Sequence, residues 1–237
     1  MYGRVPKVAN SSIKAALCKL LSQPPDDGLR TTSDLFWRDA THGETTLISP
    51  LQARRNRGTH FSFSFVRNPF DRLVSAYNNK IVENSELTKP MLAMGLESQM
   101  SFSDFLSKTC SCKDDEMDVH LMPQSAILCA GDRLVPKFIG RLEYIHEDWP
   151  SLKRRMKREG FQALGRLPEK NRRRDSSQDL SHFFSSPKIV DLVVERYGRD
   201  LELFYQSVAV NDLISCTYPE TISPIQKGRG SGSQLQS

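Results

Sequence analysis

The chain has 237 residues, 38% of them hydrophobic and 26% charged, enough apolar matter for a packed core in one large domain or two small ones and too much for a disordered chain. The formal charge of +5 is gathered in clusters, at Arg54, Arg55 and Arg57, at Lys153 to Arg158 and at Arg172 to Arg174. Such clusters either attract polyanions or form solvated faces. No apolar run approaches the length of a bilayer span.

Tyr2 to Lys7 reads as a short strand, and Ser11 to Leu21 as a helix in which Ile13, Ala16, Leu17, Leu20 and Leu21 recur at helical spacing. Ser11 or Ser12 can cap its start; Pro24 and Pro25 stop it, and Asp26 to Gly28 turn the chain. Residues 29 to 60 are polar and irregular, with a short strand expected at Thr46 to Ser49. Phe61 to Val66 predicts a second strand and Pro69 to Ile81 a second helix, with Asn68 as N-cap and Pro69 in the first turn. Another helix starts at Phe102 to Leu106. VPKFIG, Val135 to Gly140, predicts a third strand, followed by a helix from Glu147 to Arg158. Leu167 to Ser186 is basic loop, Lys188 to Tyr205 is helical, and the composition from Pro224 onward is that of a disordered tail.

Strands alternating with helices imply an α/β domain over 1–210, with residues 211–237 as a tail. Its sheet is mainly parallel and central, flanked by helices, and ligands in such folds lie beyond the carboxyl ends of the strands. Both strand-to-helix junctions fall at that edge. At the first, Lys7 stands at the strand tip and Ser11, Ser12 and Lys14 at the helix start, a set suited to an anion. At the second, Arg67 precedes the helix and Arg72, Ser75 and Asn79 share a polar stripe, which in an ordinary amphipathic helix would face solvent. The glycines of a Walker loop are missing. Cys110 and Cys112 stand too close for a zinc knuckle, and the sequence leaves them open between thiols and bridges; Cys18 and Cys129 read as small buried residues.

These residues resemble the sulfotransferases that use 3′-phosphoadenosine-5′-phosphosulfate (PAPS), and most closely the carbohydrate sulfotransferases of the chondroitin and dermatan 4-O type. The family's 5′-phosphosulfate loop, PKxAxxxxK, is matched by Pro6, Lys7, Ala9 and Lys14. Its 3′-phosphate motif, FVRxPFxRLVSAYxNK, is matched from Phe65 to Lys80. Weaker echoes lie at His120 with Pro123 and Gln124, at Phe138 to Glu143, at Asn171 and at Tyr197 to Phe204. The chain departs from the family at Ile13 and Leu121, where aromatic residues are usual, and its 5′ loop has no glycine.

The resemblance implies a P-loop-NTPase-like three-layer fold and transfer of a sulfuryl group from PAPS to a carbohydrate hydroxyl, on a glycan or acidic glycosaminoglycan, leaving 3′,5′-ADP and using no metal. It implies that Lys7 stabilises the leaving phosphate, that Asn10, Ser11, Ser12 and Lys14 cradle the 5′-phosphosulfate, and that Arg67 and Ser75 hold the 3′-phosphate. His120 is the candidate general base, since a neutral imidazole can accept the acceptor's proton; His60 and Glu143 are weaker candidates, and His42, His146 and His182 read as surface residues. No nucleic-acid partner is expected. Met1 is followed at once by the first strand, so no anchor is expected: a complete chain would be cytosolic, whereas one lacking an upstream segment would be a membrane-anchored Golgi enzyme. Two other readings stand beside this one, a P-loop-like phosphotransferase and a non-catalytic polyanion-binding module.

Overall fold

The computed structural model describes residues 1–23, 30–83, 87–162, 164–168 and 179–220. At its centre is a parallel sheet in the order β1-β2-β5, made of β1 (Tyr2–Gly3), β2 (Phe63–Val66) and β5 (Phe138–Arg141). Tyr2 pairs with Phe63, and Phe63 to Val66 pair with Phe138 to Arg141. β2 lies in the middle and all four of its residues are buried, as suits a central parallel strand covered on both faces, with small Ser64 between Phe63 and Phe65. Close packing fixes one glycine: a Cβ on Gly140 would lie 2.3 Å from a ring carbon of Phe65 on the neighbouring strand.

Helices flank this sheet: α1 (Asn10–Cys18), α2 (Asp34–Asp39), α3 (Pro50–Arg55), α4 (Pro69–Tyr77), α5 (Lys89–Ala93), α6 (Phe102–Ser111), α7 (Gln124–Leu128), α8 (Ile145–Arg158), α9 (Pro187–Phe204) and α10 (Val210–Ser215). A two-stranded antiparallel ribbon, β3 (Cys129–Ala130) with β4 (Arg133–Leu134), precedes β5. Phe65 of β2 packs on Trp149 of α8, with ring centroids 5.9 Å apart. A second aromatic cluster joins α4 and α6 to the turn ahead of α9: Tyr77 meets Phe102 at 5.0 Å, Phe102 meets Phe183 at 4.8 Å, and Phe70 meets Phe184 at 5.0 Å. The expected parallel α/β architecture of the P-loop-like kind is therefore present.

Several boundaries differ from the sequence reading, each for a local reason. The first strand stops at Gly3 instead of Lys7, and the junction beyond it is loop, with positive φ at Lys7 and Ala9 (67° and 44°). The second helix leaves the α form at Tyr77 and continues as a π-helical turn from Asn78 to Glu83. Thr46 to Ser49 is not a strand: Ser49 caps α3 in a reciprocal capping box with Gln52, which commits the segment to helix entry. Lys153 to Arg158 lies on α8, whose buried residues are Trp149, Leu152 and Met156, and Arg155 pairs with Glu159 at 2.5 Å. Cys129 is buried but Cys18 is only half-buried, and Cys110 and Cys112 are thiols. The expected turn at Asp26 to Gly28, the Arg172 to Arg174 cluster, Asn171 and the tail from Pro224 lie outside the described residues. Among the described residues no helix is long and apolar enough to cross a membrane.

Candidate active site

The loop from Arg4 to Ala9 carries the first junction. Non-glycine residues in the left-handed region cost roughly 1–2 kcal/mol each, and this loop holds two of them, Lys7 and Ala9. Their conformation is supported from β2 and α4. Arg67 donates through a terminal nitrogen to the carbonyl of Lys7 at 3.1 Å, and Arg72 donates through Nε to the carbonyl of Pro6 at 3.1 Å. The loop ends at Ala9, the N-cap of α1, which offers no side-chain cap; the first helical bond runs from Ile13 N–H to Ala9 O at 3.0 Å. A helix start without a side-chain cap turns its partial positive charge toward whatever lies in front of it.

The side chains of this junction have different surroundings. The Lys7 ammonium donates to Asn79 Oδ1 at 2.9 Å, reaching across to the π-helical turn that follows α4. Asn10 accepts a hydrogen bond from the Tyr2 hydroxyl at 3.2 Å, Ser11 is half-buried and Ser12 is buried. Lys14 is buried, donates to the Thr32 carbonyl at 3.0 Å and forms an ion pair with Asp34, which also pairs with Arg4. The Lys14 ammonium thus faces Asp34 of α2, whereas that of Lys7 faces Asn79 beyond α4.

Arg67 stands at the end of β2 and is buried. Its Nε donates to Asp71 at 2.7 Å. Burial disfavours the guanidinium charge, but Asp71 beside it more than restores it, so the pKa is raised. The Arg67 backbone is bracketed by one side chain: Gln124 Oε1 accepts from its N–H at 2.9 Å and Gln124 Nε2 donates to its carbonyl at 2.8 Å. Buried Asp200 in turn accepts from the N–H groups of Gln124 and Ser125 at 2.8 and 2.7 Å, so it caps α7 from α9. Beside Arg67, the N–H of Asn68 donates to Glu143 at 2.6 Å, and the Tyr205 hydroxyl holds the other Glu143 oxygen at 3.0 Å. Burial pushes the Glu143 carboxyl up to about 7.

The polar stripe expected on α4 is present, but its Arg72 does not face solvent. Arg72 is 1% exposed, and Pro69 to Val74 are all buried. The stripe faces the 4–9 loop: Arg72 touches Pro6 and Asn79 touches Lys7. Ser75, half-buried, lies between them on the same stripe. The π turn adds the wider backbone pitch that follows Ser75 and brings Asn79 to Lys7, a use of π geometry common at functional positions.

Arg72 also draws in the His120 segment. It donates to the carbonyls of Met122 at 2.8 Å and Val119 at 3.3 Å, so one guanidinium holds the Pro6 loop and the turn around His120 together. The His120 ring is partly open to solvent, and its Nδ1 lies 2.8 Å from Asp118 Oδ1. Asp118 is buried. Burial alone would raise its pKa, but the hydrogen bonds from His120 and Thr88 bring it down to about 2. His60 is exposed and bonded to Thr59, and His42, His146 and His182 are exposed as expected.

Lys7, Asn10, Ser11, Ser12, Arg67, Ser75 and His120 thus gather at one end of the sheet, around a single loop. Lys14 is near in sequence but committed elsewhere. Sequence reasoning passed over Asp118, and it gave no role to Gln124, Asp200 or Asn79, although the first two of these three stand inside the weaker motif echoes. Among the described residues no group of three or more His, Cys, Asp or Glu is placed to hold a metal.

This geometry coincides with a family match: residues 1–206 fit the sulfotransferase family. The chain belongs to the sulfotransferase family. The match covers the whole sheet and every residue assembled around the 4–9 loop. Family membership makes the chain a transferase acting in sulfuryl transfer. No curated protein and no solved structure matched it in the corresponding comparisons. Residues 207–220 lie beyond the sulfotransferase match, yet they pack on the site, since Asn68 Nδ2 donates to the Leu213 carbonyl at 2.6 Å and to the Tyr218 hydroxyl at 2.9 Å.

Proposed function

We propose that this sulfotransferase moves the sulfuryl group of PAPS to a hydroxyl of a carbohydrate acceptor, a glycan or an acidic polysaccharide. The observation that carries the reading is the hydrogen bond from Arg67 to the Lys7 carbonyl. It holds the Lys7 loop against the cationic end of β2, within one ligand's reach, as a nucleotide with anionic groups at its 5′ and 3′ ends requires. PAPS supplies the sulfuryl group, and the remaining steps fall to the chain. Lys7 and the uncapped start of α1, with Asn10, Ser11 and Ser12, orient the 5′ end, and the Lys7 ammonium steadies the charge that develops on the departing oxygen. Arg67 and Ser75 hold the 3′-phosphate, a charged group suited to a guanidinium fork and a hydroxyl donor. His120 removes the acceptor proton. Lys14 enters this reading only as an anchor of α1.

Calorimetry with 3′,5′-ADP and 5′-AMP tests the donor. A preference of at least tenfold for the 3′-phosphorylated nucleotide, about 1.4 kcal/mol, supports the reading; equal affinities would favour a phosphotransferase, and salt-sensitive binding of polyanions with no nucleotide preference would favour a binding module. An acceptor screen with radiolabelled PAPS then tests the carbohydrate assignment, which fails if label passes only to non-carbohydrate hydroxyls.

A further inference from the structure

Asp118 and His120 belong to one tight turn, closed by the N–H groups of Leu121 and Met122 on the Asp118 carbonyl at 2.9 and 3.1 Å. The Asp118 side chain is fully committed within it. Oδ1 accepts from the His120 backbone N–H at 2.8 Å and meets the His120 ring at Nδ1, also at 2.8 Å, while Oδ2 accepts from the Thr88 hydroxyl. Thr88 is itself fixed as the N-cap of α5, accepting from Met91 N–H at 3.3 Å. The carboxylate is therefore buried, held from two elements and aimed at one nitrogen of the imidazole. Arg72 ties the same turn, through Val119 and Met122, to the Lys7 loop.

We infer that Asp118 is a positioning residue that fixes His120 as the Nδ1–H tautomer and leaves Nε2 as the proton acceptor of the transfer. An ionised carboxylate only accepts hydrogen bonds, so the nitrogen facing it carries the hydrogen. The inference rests on the functional reading above, with His120 as base. Nε2 takes the proton of the acceptor hydroxyl as that oxygen's lone pair forms the new S–O bond. The S–O bond to the 5′-phosphate breaks, its electron pair leaves on the phosphate oxygen, and Asp118 balances the imidazolium that results. The Asp–His half of a serine-hydrolase triad uses the same physics.

The test separates this role from that of a turn cap. Asp118→Asn keeps an oxygen to accept from His120 N–H, so a purely structural Asp118 predicts a near-normal enzyme. The positioning role predicts a fall in turnover of about 10²–10⁴-fold, with affinity for 3′,5′-ADP within about twofold of wild type. Nitrogen-15 NMR of the His120 ring supplies a readout independent of activity and, in the wild type, of any variant's folding. The Nδ1–H form is expected in the wild type, and the Nε2–H form should gain population in Asp118→Asn. A wild-type Nε2–H tautomer would overturn the inference, and so would Asp118→Asn turnover close to normal while His120→Ala is inactive. Normal turnover in His120→Ala would remove His120 as base, and the inference with it. A wild type that binds 3′,5′-ADP but transfers sulfuryl to no acceptor would instead count against the functional reading, with the tautomer still deciding the Asp118–His120 relationship.

Discussion

Arg72 donates through Nε to the carbonyl of Pro6, 3.1 Å away, although the two residues are separated by 66 positions. Its other two nitrogens hold Met122 and Val119. One buried side chain thus sets the spacing between the loop that carries Lys7 and the turn that carries His120. Removing it leaves carbonyls that had been paired without a donor, each costing about 1–3 kcal/mol.

Arg72→Met should therefore lower stability by about 3–5 kcal/mol and the melting temperature by on the order of 10 °C. Arg72→Lys, which can serve fewer of these carbonyls, should fall between it and the wild type. Thermal unfolding of the three proteins checks this. A loss under 1 kcal/mol in Arg72→Met would mean that the guanidinium does not hold the two segments together.

Ser75→Ala should weaken 3′,5′-ADP binding by about ten- to a hundredfold, the scale of a hydrogen bond to a charged group, and leave 5′-AMP binding unchanged. Its stability should stay within about 0.5 kcal/mol, because the hydroxyl is small and half-exposed. Arg67→Lys should lose affinity for the same ligand while retaining a charge beside Asp71, which Arg67→Ala would leave buried and unpaired at a cost of about 3–5 kcal/mol. Titration calorimetry with both nucleotides measures the effect. Wild-type discrimination in both variants would move the 3′-phosphate away from β2.

Ala9 has φ 44° at the N-cap of α1, a conformation that glycine adopts freely. Ala9→Gly removes a strain of roughly 1–2 kcal/mol and adds unfolded-chain entropy worth about 0.5–1 kcal/mol. The expected outcome is a gain of up to about 1 kcal/mol, read as a higher urea midpoint. Destabilisation by this substitution would show that Ala9 does not carry the strain.

Glu143 has a folded pKa of about 7 against an ordinary 4.5, caused first by burial, with Asp71 adding to it and the Asn68 N–H and Arg67 opposing it. A carboxyl raised in this way favours the folded state while protonated. Its contribution is complete below pH 4.5 and is lost as pH rises through 7, with a magnitude of at most about 3 kcal/mol. Glu143→Gln should flatten the decline in stability across that window. Denaturation at pH 5, 6, 7 and 8 measures it, and parallel pH curves for the two proteins would locate the titrating group elsewhere.

The sequence by itself determined the local parts of this site. Asn68 and Pro69 mark the start of α4 because capping and a fixed φ act within a few residues. The run from Phe61 to Val66 declares a buried strand through its composition, and Arg67 could be placed at its end because side-chain periodicity is a property of neighbouring residues, whereas Lys7 stands in a loop four residues past β1. The positive φ of Lys7 and Ala9 was hidden because neither is glycine, and the carbonyls of Pro6 and Lys7 are held by Arg72 and Arg67 from another part of the chain. Only the tertiary structure decided that Lys14 turns to Asp34, that Asn79 takes the Lys7 ammonium, and that Asp200 fixes Gln124, which brackets Arg67. Contacts such as Lys7 to Asn79 join residues 72 apart. They depend on the register of a parallel sheet and on how the helices pack against it, which no window of adjacent residues contains.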